Sequence, residues 1–348
     1  MKSIKYIVAL FLPLLVGCIK PDTGVDSENT GKYIFFSQGV ETKVPLTESV
    51  GAMGQFGVVG YKYDATGSWN TYKNSNPLPN VFFSEADEIV PVETLICNED
   101  NLTASYTPLQ GWSNTRKYAF FAYYPLASNV VLVNTDGSAY TGGVPAIKYT
   151  LDPDDLQASM ADVMVAPAHT DKYWYSASQN NVTDGDIKFS FQHCLSCLGL
   201  KIKNSSAGSI ELNSVTVTVS GISHQDIVIS LDGPERIYGS AMSGEKVCDL
   251  TLLDSEKEVT ADGIELQDKL ILIPQSEDLS VVVSIEYTRS APGYVSYTDT
   301  FTSGIVTTTL TANRKHIICL NFTDVTVEVY GIANAGWTEV PRVDSTFN

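Results

Sequence analysis

One stretch constrains this chain more than any other: Arg116 to Pro125, reading Arg-Lys-Tyr-Ala-Phe-Phe-Ala-Tyr-Tyr-Pro. Aromatic side chains fit a pleated, buried surface, so the run is expected to be a central β-strand. The two-residue period of a strand puts Tyr118, Phe120, Ala122 and Tyr124 on one face and Ala119, Phe121 and Tyr123 on the other. Both faces are apolar. A strand in a simple two-layer sandwich needs only one, so this strand must be covered on its outer side or meet a partner there. Pro125, which has no N–H to donate, ends the ladder.

The rest of the chain repeats the strand signal more weakly. Strands are expected at Tyr33 to Ser37, Gln55 to Tyr63, Val81 to Phe83, Glu88 to Cys97, Ser105 to Pro108, Val130 to Val133, Ala146 to Leu151 and Asp162 to Ala166. Asp152 is expected to cap a single helical turn with Pro153 at its first position. Residues 167–186 are polar and loop-like and form the best domain boundary. Beyond them the pattern restarts at Ile187 to Ile202, read as one long strand or a pair. It continues at Ile210 to Val219, Asp226 to Leu231, Val247 to Leu252, Lys269 to Pro274, Leu279 to Tyr287, Tyr297 to Phe301, Arg314 to Phe322 and Thr326 to Val329. The 348 residues fit two domains of roughly 150 residues each, and strands at this spacing suggest all-β sandwiches. The expected divisions are 1–17, 18–31, 32–185 and 186–348. No short repeat period points to a propeller or solenoid.

A formal net charge of −18 argues against a nucleic-acid partner, which needs a basic footprint to displace counterions. At the N-terminus, Lys2 and Lys5 precede an apolar run from Ile7 to Val16, and Leu15-Val16-Gly17-Cys18 follows. This has the form of a signal peptide ending in a lipobox, with Cys18 as the lipidated residue and residues 18–31 as a polar tether. The run falls short of the roughly 20 apolar residues of a comfortable spanning helix, and acyl chains would anchor the chain instead. The remaining cysteines, Cys97, Cys194, Cys197, Cys248 and Cys319, are odd in number and irregular in spacing, which makes a poor disulfide framework. Cys194 and Cys197 invite a redox or zinc reading. No second ligand pair follows at zinc spacing, so buried core cysteines are the favoured reading.

Motifs for chemistry are sparse. Asp152, Asp154, Asp155 and Asp162 cluster in sequence, but their spacing does not fit the calcium-binding EF-hand loop, and a solvated turn explains them. His169, His193, His224 and His316 are scattered, and His193 within an apolar strand reads as a buried, hydrogen-bonded side chain. Trp112 and Trp337 read as core, whereas Trp69, Tyr72 and Trp174, in loops, are the better candidates for exposed contacts. No catalytic residue, cofactor or metal is expected.

Several local patterns occur together in order: the lipobox at Cys18, Phe56-Gly-Val-Val-Gly-Tyr61, Trp112 with Tyr118 to Pro125, and Asp162-Val-Met-Val-Ala166. Phe189-Ser-Phe-Gln-His-Cys-Leu195, Leu272-Ile-Pro-Gln275 and Ile332 to Trp337 complete the set. Together they resemble the fimbrillin-like, or Mfa-like, lipoproteins of Bacteroides-type bacteria. The resemblance implies two tandem transthyretin-like β-sandwich domains after a lipoprotein signal peptide. It also implies a surface-anchored, non-enzymatic fimbrial subunit, whether stalk, tip or anchor, on the outer membrane. Its partners would be other fimbrial subunits, and a host or bacterial receptor or glycan. In that family a protease removes an N-terminal strand, and a strand of the next subunit fills the groove. Arginine-specific cleavage has no target here, because the first arginine is Arg116, so Lys32 and Lys43 are the candidate processing sites. Among the C-terminal segments, Val325 to Ile332 reads as the better donor strand. A glycan-binding outer-membrane lipoprotein for nutrient uptake is the competing expectation.

Overall fold

The computed structural model describes residues 29–39, 54–75, 92–97, 102–113, 115–152, 154–173, 186–242, 247–260 and 262–337. Within them the regular structure is all strand except for two four-residue helices, Trp69–Tyr72 and Leu156–Ser159. The expected central strand is there, at Arg116–Tyr124, and it stops at Pro125. It pairs on one side with Gln55–Asp64 and on the other with Met164–Val165 and His169–Lys172.

These strands belong to a nine-stranded sheet. From one edge it runs Asp186–Phe189, Phe35–Gln38, Thr103–Ser105, Glu93–Cys97, Gln55–Asp64, Arg116–Tyr124, Met164–Val165 and Gln192–His193. Its two outermost strands are consecutive in sequence, linked only by Ser190 and Phe191. Two linking residues span about 10 Å at most, so the sheet must curl until its edges nearly meet. The inside of this curl is an aromatic core of Phe36, Phe56, Trp112, Phe120, Phe189 and Phe191 with smaller apolar neighbours.

The opposite face of the central strand is buried just as completely. Ala119, Phe121 and Tyr123 pack with Val59, Tyr61 and Trp69 against a second sheet, ordered Arg236–Tyr238, Asp226–Ser230, Pro145–Thr150 and Val130–Asn134. The surplus apolar face therefore has a physical purpose: the strand is shared by two cores. Ile34 and Phe36 cover its Tyr118–Ala122 face, as the excess of apolar residues led one to expect.

The remaining strands form two further sheets, one of Ile264–Leu272, Ser196–Asn204, Arg314–Phe322 and Val327–Gly336. The other holds Val247–Leu253, Ser209–Ser220, Gln275–Ser290 and Tyr297–Thr302, with Lys257–Glu258 and Val306–Leu310 alongside. In Ser209–Ser220, Val215, Val217 and Val219 point into the core while Thr216 and Thr218 alternate outward. A register shift between Leu212 and Ser214 inserts an extra residue, which keeps both Leu212 and Val215 on the inner side.

Several expectations change in detail. The Ile187 to Ile202 stretch holds three strands: Asp186–Phe189, Gln192–His193 and Ser196–Asn204. The helical turn begins later than expected, capped by the side chain of Asp155, which accepts the N–H of Ala158; the Asp152 carboxylate instead accepts the N–H of Asp154. His169–Lys172, Arg236–Tyr238 and Val306–Leu310 are strands that the pattern did not announce. Val81 to Phe83 lies outside the described residues. Pairing also crosses residue 185, the expected domain division: Asp186–Phe189 runs parallel to Phe35–Gln38, and Asp226–Ser230 runs antiparallel to Pro145–Thr150.

Candidate interaction site at the barrel seam

The strand Phe35–Gln38 joins the outer strand Asp186–Phe189 to Thr103–Ser105, and the slot it fills is termed the seam. One edge pairs in parallel with Asp186–Phe189, in the register Phe36 to Ile187, and the other pairs antiparallel with Thr103–Ser105, in the register Phe36 to Ala104. Backbone bonds extend the attachment at both ends. Ile34 N–H donates to Gln110 at 2.8 Å, Gln38 N–H to Leu102 at 2.8 Å and Gly39 N–H to Phe189 at 2.7 Å. A strand bonded on both edges satisfies its backbone almost fully, which is why so short a segment holds its place.

Its inward side chains provide the apolar attachment. Ile34 and Phe36 are fully buried. The Phe36 ring meets Phe120 edge-on at 5.2 Å and Tyr106 at 5.5 Å, and it stacks on Phe189 at 5.7 Å. Tyr106 ties the seam together, since its hydroxyl donates to the Ile34 carbonyl at 2.9 Å and accepts the Gln110 N–H at 3.1 Å. Burial pushes that phenol up to about 12, so it remains a donor at any physiological pH. What the site offers is a slot with two strand edges and an aromatic floor.

Lys32 lies at the end of strand Asn29–Tyr33, which pairs with Gly111–Ser113. Cys18, Lys43 and Trp174 lie outside the described residues. The four aspartates do not form a cluster: Asp162 turns inward and binds His193 Nδ1 at 2.8 Å, with both side chains buried. His193 is thus the buried, hydrogen-bonded histidine expected, bonded through Nδ1 while its Nε2 has no partner among the described residues, and its ring also stacks on Trp337 at 4.3 Å. Among the described residues no group of three His, Cys, Asp or Glu side chains could hold a metal. Cys97, Cys194, Cys197, Cys248 and Cys319 are all buried.

Trp112 and Trp337 are core residues, as expected. Trp69 is a correction, because only 3% of it is exposed and it cannot serve as a surface platform. Its indole donates to Asp232 Oδ1 at 2.8 Å, a partner remote in sequence that no local pattern signals. The expected donor segment, Val325 to Ile332, runs from Val327 onward in strand Val327–Gly336, which is paired with Arg314–Phe322 along its length, so releasing it would break that ladder.

The fimbrillin-like family model matches residues 43–337. The chain belongs to the fimbrillin-like family. This fimbrillin-like chain accordingly has the all-β fold of that family and the role of a fimbrial subunit. Among solved structures it is similar to a fimbrial protein from Bacteroides vulgatus, with 19% identity and a TM-score of 0.59, covering 88% of this chain and 100% of that one. A candidate cell adhesion protein from Bacteroides uniformis matches at 14% identity and a TM-score of 0.43, over 88% of this chain and 99% of its own. The fimbrial anchor protein Mfa2 from Porphyromonas gingivalis matches at 11% identity and a TM-score of 0.34, over 88% and 96%. A comparison with curated protein sequences finds no match.

Proposed function

We propose that this fimbrillin-like subunit is held on the outer membrane by acyl chains on Cys18 and joins its neighbours by strand addition at the barrel seam. It works without catalysis. The observation that carries this reading is the double-edged attachment of Phe35–Gln38. Loss of that strand would free the edges of Asp186–Phe189 and Thr103–Ser105 and uncover the rings around Phe36. Such a slot favours an extended segment of another subunit, with backbone bonds supplying affinity and alternate side chains supplying selectivity.

The two candidate cleavage sites then have different consequences. A cut after Lys32 falls before Phe35–Gln38 and leaves that strand attached to the body, whereas a cut after Lys43 severs the chain beyond it and lets the strand leave. Treating the precursor with a trypsin-like protease is expected to give denaturation-resistant ladders on gels. Lys43→Gln should abolish them and Lys32→Gln should not. A protein cut after Lys43 that remains monomeric would refute strand exchange at this seam. Labelling with palmitate tests the anchor separately: Cys18→Ala should remove the label, and a variant that still takes it up rules out Cys18 as the acylated residue.

A further inference from the structure

The edge strand Arg236–Tyr238 overhangs a groove that seam assembly does not use. Two cavities lie end to end beneath it, of about 470 Å³ and about 460 Å³. Arg236 lines the first and Tyr238 the second, while the opposite wall passes continuously from Asn313 in the first to Ala312 and Thr311 in the second. Residues two apart on a strand share a face, with their Cα atoms about 6.6 Å apart, so the guanidinium and the phenol ring leave the strand on the same side.

Arg236 is the unusual group. In a chain with 40 acidic and 22 basic residues, this half-buried guanidinium has no carboxylate partner among the described residues, and its Nε is buried without a hydrogen-bond acceptor among them. Its contact in the cavity is the Cys194 thiol, which burial pushes up to about 11 and keeps neutral. The acid that shares the cavity, Asp232, is already engaged, accepting from Trp69 Nε1 at 2.8 Å and from Lys73 Nζ at 3.3 Å. A fork of N–H donors beside a cavity whose one carboxylate, among its lining residues, is already engaged is suited to a further carboxylate. At the other end, Tyr238 is 41% exposed and lies against His224 at 4.9 Å, giving an aromatic surface on which an apolar sugar face can rest.

We propose that this groove binds an acidic sugar, with its carboxylate on Arg236 and its ring, or the adjoining one, on Tyr238. The site is separate from the slot filled by Phe35–Gln38, and the inference does not rest on strand exchange.

The test is titration of the folded protein with N-acetylneuraminic acid, galacturonic acid, galactose, acetate and a glutamate-containing tripeptide, followed by calorimetry and ligand-observed NMR. At least one of the two acidic sugars should bind about tenfold or more tightly than galactose and acetate. Arg236→Gln should remove that preference, Arg236→Lys should restore part of it, and Tyr238→Ala should weaken the sugar without changing acetate. Arg236→Gln should leave the melting temperature and ladder formation unaltered, which separates this site from the seam. Equal binding of acetate or the tripeptide, or indifference to Tyr238→Ala, overturns the sugar assignment. Absence of any binding overturns the site.

Discussion

His169 and His316 show how burial at single residues sets a property of the whole protein. Burial lowers the pKa of both imidazoles from the ordinary 6.5. His316 Nε2 also accepts the N–H of Thr311 at 3.0 Å, which requires the lone pair of the neutral ring. The folded chain thus holds fewer protons than the unfolded chain once the pH drops below about 6.5. Stability from these groups is complete above that value and is lost as the pH falls towards their folded pKa values. Thermal melting followed from pH 8 downwards should be flat to about pH 7 and then decline, and the decline should be smaller in His169→Gln or His316→Gln. An unchanged slope in both variants would place the pH dependence elsewhere. At this scale much was legible in the sequence: His193, Trp112, Trp337 and the five cysteines sit where apolar strand patterns put them. Trp69 was not legible, because Gly67 and Ser68 before it signal a turn, while the contact that buries it is made by Asp232 on a different sheet connection.

At the level of elements, the central strand Arg116–Tyr124 was readable from its composition, down to the residue at which it stops. The excess of aromatics on both faces correctly called for two covers. What covers the outer face was not readable, since the sheet that does so takes strands from both sides of residue 185, and its pairing depends on contacts far apart in the chain. The division of Ile187 to Ile202 was hidden for a related reason: Phe189 and Phe191 keep the two-residue alternation going through the link that joins opposite edges of the sheet. A strand shared by two cores makes a quantitative prediction. Phe120→Ala and Phe121→Ala, on opposite faces, should each cost about 3–5 kcal/mol in denaturant unfolding. Thr300→Ala on the exposed strand Tyr297–Thr302 should stay within about 0.5 kcal/mol. If either phenylalanine proves as tolerant as Thr300, the strand is buried on one side only.

At the scale of the whole molecule, the issue is whether the sheets unfold together. The principal core runs without a break from Val59 and Phe121, through Tyr149 and Ile229, to Val217, Ile285 and Phe322. The strand Asp226–Ser230 lies between Ser209–Ser220 and Val247–Leu253 in sequence, yet it completes a sheet begun by Val130–Asn134 and Pro145–Thr150. The ion pair of Lys73 with Asp232 at 3.3 Å adds little in energy, being partly exposed, but it joins the same two regions. Opening the curled sheet would therefore strip Ile227 and Ile229 of their cover, and melting the sandwich made by the last two sheets, where Leu200 and Ile318 share a core with Val217 and Ile285, would withdraw the strand that backs Pro145–Thr150. Units that cannot open without exposing each other's cores share one transition. Fluorescence of Trp112, inside the curled sheet, and hydrogen exchange at Val217 and Val283, inside the sandwich, should give the same midpoint in denaturant, with calorimetric and van't Hoff enthalpies equal. Separated midpoints, with the sandwich retaining protection after Trp112 is exposed to water, would show that the 226–230 connection is not strong enough to couple them.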